Sequence, residues 1–386
     1  MDLPIYLDHN ATTPLDSRVL EKMIPFFSHY FGNASSRTHS YGWIAEKAVK
    51  EAREQVALAL QCEPGEILFT SGATESNNLA IFGVLQKYKK YGNHFVTVKT
   101  EHPSVLDPFK ALENQGFEGT YLSVDQKGQI SLNELEKAFS KQTILVSVMA
   151  ANNETGVLHP INEIGDLCRE HKILFHCDAT QAVGKIPIQV RTMKIDLLSF
   201  SAHKFYGPKG VGGLFYSRKT PRVQVFPLFW GGGQEDGLRS GTLNVPGIVG
   251  LGEAIYLAKE ELETAQIRLK TLKKQLYEGL CSELNGLHLN GSSDKTLPGT
   301  LNLSFSGIRS QNLAGALKKI AVSSGSACAS ASLEPSYVLK AMGRSDESAR
   351  ASLRFSLGRS TTSTEIVQAI HEVVETVKRL QNEYVF

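Results

Sequence analysis

The sequence lacks the segments that mark membrane and secreted proteins. It contains no apolar run approaching the ~18 residues that a membrane span needs. Its first residues, MDLPIYLDHNATT, show no basic stretch followed by an apolar one, so we do not expect secretion. The five cysteines are an odd number without a C-x-x-C pair, which excludes a disulfide framework and argues against a structural zinc site. These absences predict a cytoplasmic protein with reduced cysteines.

Charge and motif searches exclude further classes. Forty-one basic and 39 acidic residues leave a net charge of +2, which indicates neither a nucleic acid nor an anionic membrane as partner. The motifs G-x-x-x-x-G-K-S/T, G-x-G-x-x-G and G-x-S-x-G are absent, and HEVVE (371–375) lacks the second histidine of a zinc-protease helix. The length of 386 residues and the apolar content of 41% suit two coupled domains.

Short apolar strands alternate with helical patterns through the first two-thirds of the chain. This alternation is typical of an α/β fold, in which helices cover both faces of a mostly parallel sheet. The predicted strands are 67–70, 96–100, 143–149, 172–179 and 196–204. Three helices are predicted: one that begins near Ala73, one over 104–115 and one over 161–171.

The remainder of the chain predicts a smaller α+β domain. One continuous helix is expected from Ile248 to Glu283, with leucines on one face, as a spoke between the domains. The small, polar stretch 322–336 predicts an exposed loop. The other predicted elements are strands 300–306 and 350–357, a helix over 311–319 and a last helix from Thr364. We therefore predict a large domain over 15–255 and a small domain formed by 1–14 and 256–386.

Polar side chains follow the predicted strands where each strand ends. His102, Asn153, Asp178, Gln181 and Lys204 all lie at such positions. Sheets of this kind bind ligands at the carboxyl ends of their strands, so these side chains should meet at one edge. The turn SGATES, after strand 67–70, leads into a helix whose free N–H groups and dipole favour a phosphate.

This combination suits pyridoxal phosphate. The cofactor needs a lysine for its Schiff base and a carboxylate that keeps the pyridine nitrogen protonated. Lys204 follows Asp178 by about one strand–connection–strand unit, so both can reach one ring. Taken singly, Asp178 could be a helix cap, Lys204 a solvated lysine at a strand end and His102 a turn residue. Cys177 is most simply a buried strand residue.

Seven blocks of the sequence resemble cysteine desulfurases of the NifS/IscS type, within the class V aminotransferases. They are TSGATESNNLAI, TEHPSVL, ANNETGV, HCDATQAVGK, SFSAHKFYGPKG, GGGQEDGLRSGT and VSSGSACASASLEPSYVL. The resemblance runs from about Ile5 to Arg379. It implies a pyridoxal-phosphate-dependent transferase of fold type I, with a cysteine loop of the long-loop branch rather than the SufS-like branch.

The resemblance also implies roles for individual residues around the cofactor. Lys204 would hold pyridoxal phosphate and shuttle the substrate α-proton, and Asp178 would pair with the ring nitrogen. Gln181 would bind the ring hydroxyl, and His102 would stack on the ring and take part in proton transfer. The phosphate would be held by Ala73, Thr74, Ser201 and His203, joined by Thr242 of the neighbouring subunit in a homodimer.

The implied substrate is L-cysteine. Asn153 and Arg354 would grip its carboxylate, although Arg354 taken alone could equally be a structural ion-pair partner. Cys328 would attack the substrate sulfur and carry it as a persulfide to an iron–sulfur scaffold or another acceptor protein. Housekeeping members usually continue beyond VKRLQNEYVF into a tail that docks the scaffold, so the docking mode stays open.

Two other functions remain alternatives at this point. A selenocysteine lyase on the same fold would need no protein thiol, so Cys328 discriminates against it. A catalytically silent scaffold subunit would not need Lys204, Asp178, His102 and Cys328 together. The sequence therefore favours a cysteine desulfurase.

Overall fold

A computed structural model describes residues 3–308, 310–324 and 334–382, with backbone alone at 310–312. Its strands are β1 (Ile5–Tyr6), β2 (Ile67–Thr70), β3 (His94–Val98), β4 (Glu118–Leu122), β5 (Thr143–Ser147), β6 (Leu174–Asp178), β7 (Leu197–Ser201), β8 (Gly212–Tyr216), β9 (Leu287–Leu289), β10 (Thr300–Phe305), β11 (Ile320–Ala321) and β12 (Ser352–Ser356). Its helices are α1 (Ser17–Met23), α2 (Pro25–Ser28), α3 (Ser40–Leu60), α4 (Ala73–Tyr88), α5 (Pro103–Glu113), α6 (Leu132–Lys137), α7 (Ile161–Glu170), α8 (Val245–Glu260), α9 (Leu262–Glu283), α10 (Ser310–Ala316), α11 (Tyr337–Ala341), α12 (Asp346–Arg350) and α13 (Ser363–Asn382).

The large sheet has seven strands in the order β2-β8-β7-β6-β5-β3-β4. The pairs β7–β6, β6–β5, β5–β3 and β3–β4 are parallel, and β8 runs antiparallel to both β7 and β2. All residues of β6 and β7 are buried, because helices cover both faces of a parallel sheet. The predicted α/β class with a mostly parallel central sheet is confirmed.

Two apolar layers hold these helices against the sheet. On one face, α3 and α8 pack on each other and on the sheet through residues such as Val56 and Leu251. On the opposite face, α4 and α5 bury Leu79, Val84 and Phe109. At roughly 25 cal/mol per Å² of apolar surface, this burial is the main force that fixes the strand ends that carry polar groups.

A second, smaller sheet forms the core of the C-terminal part. Its antiparallel strands run in the order β12-β10-β9 and pack under α9 and α13. Leu7 joins this core, and β1 pairs in parallel with β11. The N-terminal residues thus pack with the C-terminal part, while the exact division at residues 15 and 255 stays a prediction.

The predicted continuous helix over 248–283 is wrong. Two helices, α8 and α9, meet at Glu261, whose φ of −94° and ψ of 1° lie outside the helical region. The Glu261 carboxylate pairs with Arg18 and Arg359, which accounts for the direction in which the chain turns there. Leucine periodicity continues across such a break, so the pattern alone cannot reveal it.

The predicted exposed loop over 322–336 is also wrong at its ends. Ser323 pairs with Arg354 and is 4% exposed, and Ser336 caps α11 and is 3% exposed. Residues 325–333 lie outside the described residues. Within the described ranges, no helix is both long and apolar enough to cross a membrane.

Candidate active site

A cavity of about 740 Å³ opens at the carboxyl ends of the central strands. Its size is typical of a site for a small ligand. Ten predicted site residues line it: Ala73, Thr74, His102, Asn153, Asp178, Gln181, Ser201, His203, Lys204 and Arg354. Thr242 is exposed and is not among the lining residues. Cys328 lies outside the described residues.

Lys204 ends a single helical turn, Ala202–Lys204, that directly follows β7. The side chain is partly buried, and Nζ donates to the carbonyl oxygens of Asn10 at 2.7 Å and Ala11 at 2.8 Å. The alternative of a solvated lysine at a strand end does not describe this environment. The lysine instead projects into the cavity beside the N-terminal segment.

This N-terminal segment, residues 7–13, is the main part of the site that sequence reasoning missed. Besides the two carbonyl groups that accept from Lys204, Thr12 Oγ1 lies 3.1 Å from His203 Nδ1. The Asp8 carboxylate pairs with Arg354 at 2.6 Å. The available signal was the polar run DHNATT directly after a short apolar pair, which is the same pattern that marked the other strand ends.

Asp178, the last residue of β6, is 4% exposed and held by two donors. Asn77 Nδ2 donates to Oδ2 at 2.8 Å, and the backbone N–H of Thr180 donates to Oδ1 at 2.9 Å. The sequence left open that Asp178 is a cap residue. Its carboxylate does accept from the backbone N–H of Thr180 in the turn after β6, in addition to its contact with Asn77. Two donors to one carboxylate fix its position and orientation inside the protein.

Asn77 extends this network to His102. The same Nδ2 also donates to Ser104 Oγ at 2.9 Å, and that hydroxyl lies 2.8 Å from His102 Nδ1. Asn77 is fully buried on α4 and was not singled out in the sequence, where it looks like any other polar residue in SGATESNN. A continuous chain of hydrogen bonds thus joins Asp178 to His102.

His102 caps α5, with Pro103 as the first helical residue. Its Nδ1 accepts from the backbone N–H of Ser104 at 3.1 Å, so the proton of the neutral ring resides on Nε2. Burial lowers the pKa of His102, an effect that Lys204 reinforces and Asp178 opposes. The ring is therefore neutral near pH 7. His102 acts as a turn residue at the start of α5 and also lines the cavity, so the two interpretations do not exclude each other.

The phosphate cradle predicted after β2 combines the start of α4 with the segment Ser201–His203. Ala73 and Thr74 begin α4, a helix of 16 residues whose first N–H groups have no partner within the helix. Gly72, just before this helix, has a φ of +153°, a backbone conformation that residues with a side chain rarely adopt. Burial and the charges of Lys204, Lys209 and Lys185 lower the pKa of His203 to about 4.

Arg354 in β12 is 3% exposed and lies on the opposite wall. Nη2 pairs with Asp8, and Nη1 donates to the carbonyl oxygen of Asn153 at 2.8 Å. The structural ion pair that the sequence left open is therefore present. Among the described residues, neither Arg354 Nε nor Asn153 Oδ1 has a hydrogen-bond partner, although both atoms are buried. Both residues nevertheless line the cavity, so the guanidinium group and the amide of this wall suit a polar ligand.

The chain returns to this cavity just after the segment that carries Cys328. Glu334, Ser336 and Tyr337 contribute to the cavity wall. Ser336 Oγ donates to the buried Glu154 carboxylate at 2.5 Å, and the Tyr337 hydroxyl donates to the carbonyl oxygen of Glu101 at 2.6 Å. These anchors were not predicted, because they join residues more than 180 positions apart in sequence.

The arrangement fits pyridoxal phosphate. A lysine, a doubly held carboxylate and a neutral histidine surround one cavity, and a helix N-terminus with Ser201 and His203 offers donors to a phosphate. Arg354 and Asn153, which also line the cavity, add a polar wall opposite these groups. Fold and site together define a pyridoxal-phosphate-dependent transferase of fold type I.

Comparison with known proteins gives the family. Residues 5–369 match the class-V aminotransferases. A cysteine desulfurase IscS of Anaeromyxobacter dehalogenans is 53% identical over 381 residues, which cover 99% of this chain and 94% of the relative. A cysteine desulfurase IscS of Salmonella schwarzengrund is 53% identical over 384 residues, covering 99% and 95%.

Solved structures agree. A NifS-like protein has a TM-score of 0.91 at 39% identity, covering 98% of this chain and all of its own. The structure of SspA in complex with cysteine has a TM-score of 0.81 at 40% identity, covering 92% and 98%. The chain belongs to the class-V aminotransferase family and, within it, to the pyridoxal-phosphate-dependent cysteine desulfurases. The predicted family, enzyme class and cofactor are confirmed.

Proposed function

We propose that this enzyme converts L-cysteine to L-alanine and transfers the sulfur to Cys328 as a persulfide. One observation carries the proposal: Lys204, Asp178 and His102 surround the same cavity as Arg354. Residues 334–337, shortly after Cys328 in sequence, form part of its wall. Cys328 precedes these wall residues by only a few positions in sequence, and this supports its assignment as the sulfur acceptor.

The residues on the cofactor side prepare the substrate. When bound, pyridoxal phosphate draws electrons from the substrate Cα and thereby weakens the bond between Cβ and sulfur. Asp178, fixed by Asn77 and Thr180, keeps the ring nitrogen protonated, because a nearby carboxylate favours the charged form. Lys204 holds the cofactor and then moves the α-proton. His102 donates and accepts a proton at Nε2, since Nδ1 is occupied by Ser104.

The opposite wall recognises the carboxylate of L-cysteine. Arg354 and Asn153 both line the cavity there, and Arg354 Nη1 donates to the Asn153 carbonyl oxygen at 2.8 Å. The guanidinium group matches a carboxylate in shape and charge. Asp8 holds Arg354 in place, which limits the loss of side-chain entropy when the substrate binds.

Sulfur transfer itself is assigned to Cys328. Its thiolate attacks the substrate sulfur, so a sulfur–sulfur bond forms while the bond between that sulfur and Cβ breaks. The bonding electron pair stays on the carbon fragment, which takes up a proton and leaves as L-alanine. The persulfide then passes its outer sulfur to an acceptor protein, which we propose to be an iron–sulfur scaffold, as the kinship with IscS enzymes suggests.

We further propose that the enzyme acts as a cytoplasmic homodimer with two shared sites. Thr242 is exposed and lies in the same loop as Trp230, which is 73% exposed. Phe31 is 65% exposed and contacts the ring of Tyr41, 5.2 Å away between centroids. Exposed aromatic groups of this kind mark protein interfaces. Cys62, Cys168, Cys177 and Cys281 are free thiols, which suits a reducing compartment.

The cofactor lysine provides the first test. Lys204→Ala should lose the visible absorption of the bound cofactor and all formation of alanine from L-cysteine. Lys209→Ala is the matched control, because Lys209 lines the same cavity but holds no cofactor in this scheme. A colourless Lys209→Ala protein beside a yellow, active Lys204→Ala protein would reverse the assignment.

The shared site can be tested by mixing subunits. A heterodimer of Lys204→Ala and Thr242→Ala chains should have one site that lacks both residues and one intact site. Partial recovery of alanine formation on mixing two impaired homodimers is therefore expected. A fully active monomer at assay concentration would contradict the dimer.

A further inference from the structure

A second lysine lies beneath the cavity and has no role in the scheme above. Lys185 Nζ donates to Gln181 Oε1 at 2.8 Å and to Asn10 Oδ1 at 3.1 Å. The side chain is partly buried and follows Gly184, whose φ is +76°. A Cβ on that glycine would lie 2.6 Å from Phe205 Cβ, so the backbone packs tightly here. This close packing fixes the point from which Lys185 reaches inward.

The two contacts of Lys185 decide how two amide groups are oriented. An amide can present either its oxygen or its NH₂ group in nearly the same shape, and only its hydrogen-bond partners select between them. A lysine N–H can only be met by an amide oxygen. Lys185 therefore turns Oε1 of Gln181 and Oδ1 of Asn10 toward itself and both NH₂ groups away.

Each NH₂ group then serves a different wall of the cavity. Gln181 Nε2 donates one hydrogen to the Asn10 carbonyl oxygen at 2.9 Å, which leaves its second hydrogen for the cavity that Gln181 lines. Asn10 Nδ2 donates to Thr300 Oγ1 at 3.0 Å and to the Asn153 carbonyl oxygen at 3.3 Å, and that carbonyl also accepts from Arg354. The Asn10 carbonyl is in turn an acceptor for Lys204. Through these contacts, Lys185 Nζ helps to orient the Gln181 amide on the cofactor side and the Asn10 amide on the substrate side.

The charges around Lys185 are mostly positive. Lys204 and Arg354 act with burial to hold its pKa well below the usual value, and Lys185 in turn lowers the pKa of His9 and His203. The small cavity beside it is also lined by Tyr206, Glu261 and Arg359. In the part of the chain that the structure describes, no carboxylate lies within ion-pair distance of Nζ. Both contacts of Lys185 need only an N–H, so they persist in either protonation state.

We propose that Lys185 is a positioning residue for the cofactor: it fixes the Gln181 amide so that an N–H faces the ring oxygen of bound pyridoxal phosphate. This inference rests on the proposed function, in which Gln181 meets that oxygen. A donor at this oxygen stabilises its deprotonated form and lowers the pH at which the lysine-bound cofactor changes its visible absorption. Without Lys185, the Asn10 carbonyl oxygen alone orients the Gln181 amide, so the N–H that faces the ring oxygen is less firmly held and donates less well.

The test is the pH midpoint of the visible absorption of the purified holoenzyme. Lys185→Met, which keeps the length of the side chain without its donors, should raise that midpoint by about half a unit to one unit. Lys185→Arg, which keeps donors, should stay closer to wild type than Lys185→Met. Lys273→Met is the control, because Lys273 is a partly buried lysine that donates to the Leu297 carbonyl oxygen and does not line the cavity.

A double variant separates positioning from a purely structural role. If Lys185 acts through the amide, Lys185→Met should cause no further shift in a Gln181→Leu background. An unchanged midpoint in Lys185→Met, or shifts that simply add in the double variant, would overturn the inference. Lys185→Leu, which also lacks donors, replaces Lys185→Met in both comparisons if the latter does not fold. A wild-type protein without any lysine-bound absorption would instead refute the proposed function.

Discussion

Replacing Asn77 by alanine tests the hydrogen-bond network that supports the cofactor site. Its Nδ2 group donates to Asp178 Oδ2 at 2.8 Å and to Ser104 Oγ at 2.9 Å, and the side chain is fully buried. A hydrogen bond to a charged group contributes about 1.5–3 kcal/mol, and a neutral one about 1 kcal/mol. Asn77→Ala therefore removes about 2.5–4 kcal/mol of interactions, the larger share of it at Asp178.

The affinity for the cofactor should fall by an amount that corresponds to the lost contact with Asp178. Asp178 would keep only the Thr180 N–H as donor, so the carboxylate that would pair with the cofactor would be less well fixed. Since 1.4 kcal/mol is a factor of ten in an equilibrium constant, we expect cofactor binding to weaken about 10- to 100-fold. The assay is titration of the apoprotein with pyridoxal phosphate, followed by visible absorption.

A neighbouring asparagine gives the matched control. Asn78 lies on the same helix, is more exposed, and donates to the Thr74 carbonyl oxygen rather than to Asp178. Asn78→Ala should bind the cofactor within about threefold of wild type, in line with the small effects of most surface substitutions. A dissociation constant for Asn77→Ala within twofold of wild type, in a folded protein, would refute the reasoning.

Two further predictions concern the opposite wall. Burial raises the pKa of Glu154 from its ordinary 4.5 to about 7, so between these values the unfolded chain ionises while the folded one resists. Glu154 should contribute a loss of about 3 kcal/mol to the stability as pH rises through this window. In urea unfolding at pH 5 and pH 8, the change in stability should therefore differ between wild type and Glu154→Gln by about that amount, whereas the exposed Glu163→Gln should match the wild type. Arg354→Lys should raise KM for L-cysteine at least about tenfold in steady-state assays, because a lysine cannot pair with a carboxylate in the same two-pronged way; an unchanged KM would remove Arg354 from the substrate site.

The part of the site that the sequence predicts consists of residues at strand ends. Asp178 and Lys204 could be placed because each directly follows a buried apolar run, and parallel strands bring such positions to one edge. The cradle at Ala73 and Thr74 was equally local, since a small-residue turn into a helix is visible in a few letters. In these cases the functional residue and the pattern that predicts its strand or helix lie within the same few residues of sequence.

The remaining contacts cross the whole chain and leave no local pattern. Lys204 meets Asn10 across 194 positions, and Arg354 meets Asp8 across 346. These contacts depend on the N-terminal residues packing with the C-terminal sheet, which no periodicity announces. Asn77 was missed for another reason: a buried asparagine inside a helix has the same letter as an exposed one, and only the fold turns it toward Asp178.

The most direct test of the central claim is a single turnover of L-cysteine followed by mass spectrometry of the protein. Wild-type enzyme should release about one alanine per site and gain the mass of one sulfur atom on the peptide that contains Cys328. Cys328→Ala should still bind the cofactor and exchange the substrate α-proton, yet release almost no sulfur and carry no persulfide. Wild-type release of sulfide by the Cys328→Ala protein would contradict sulfur transfer to this residue and favour a lyase that eliminates without a protein thiol.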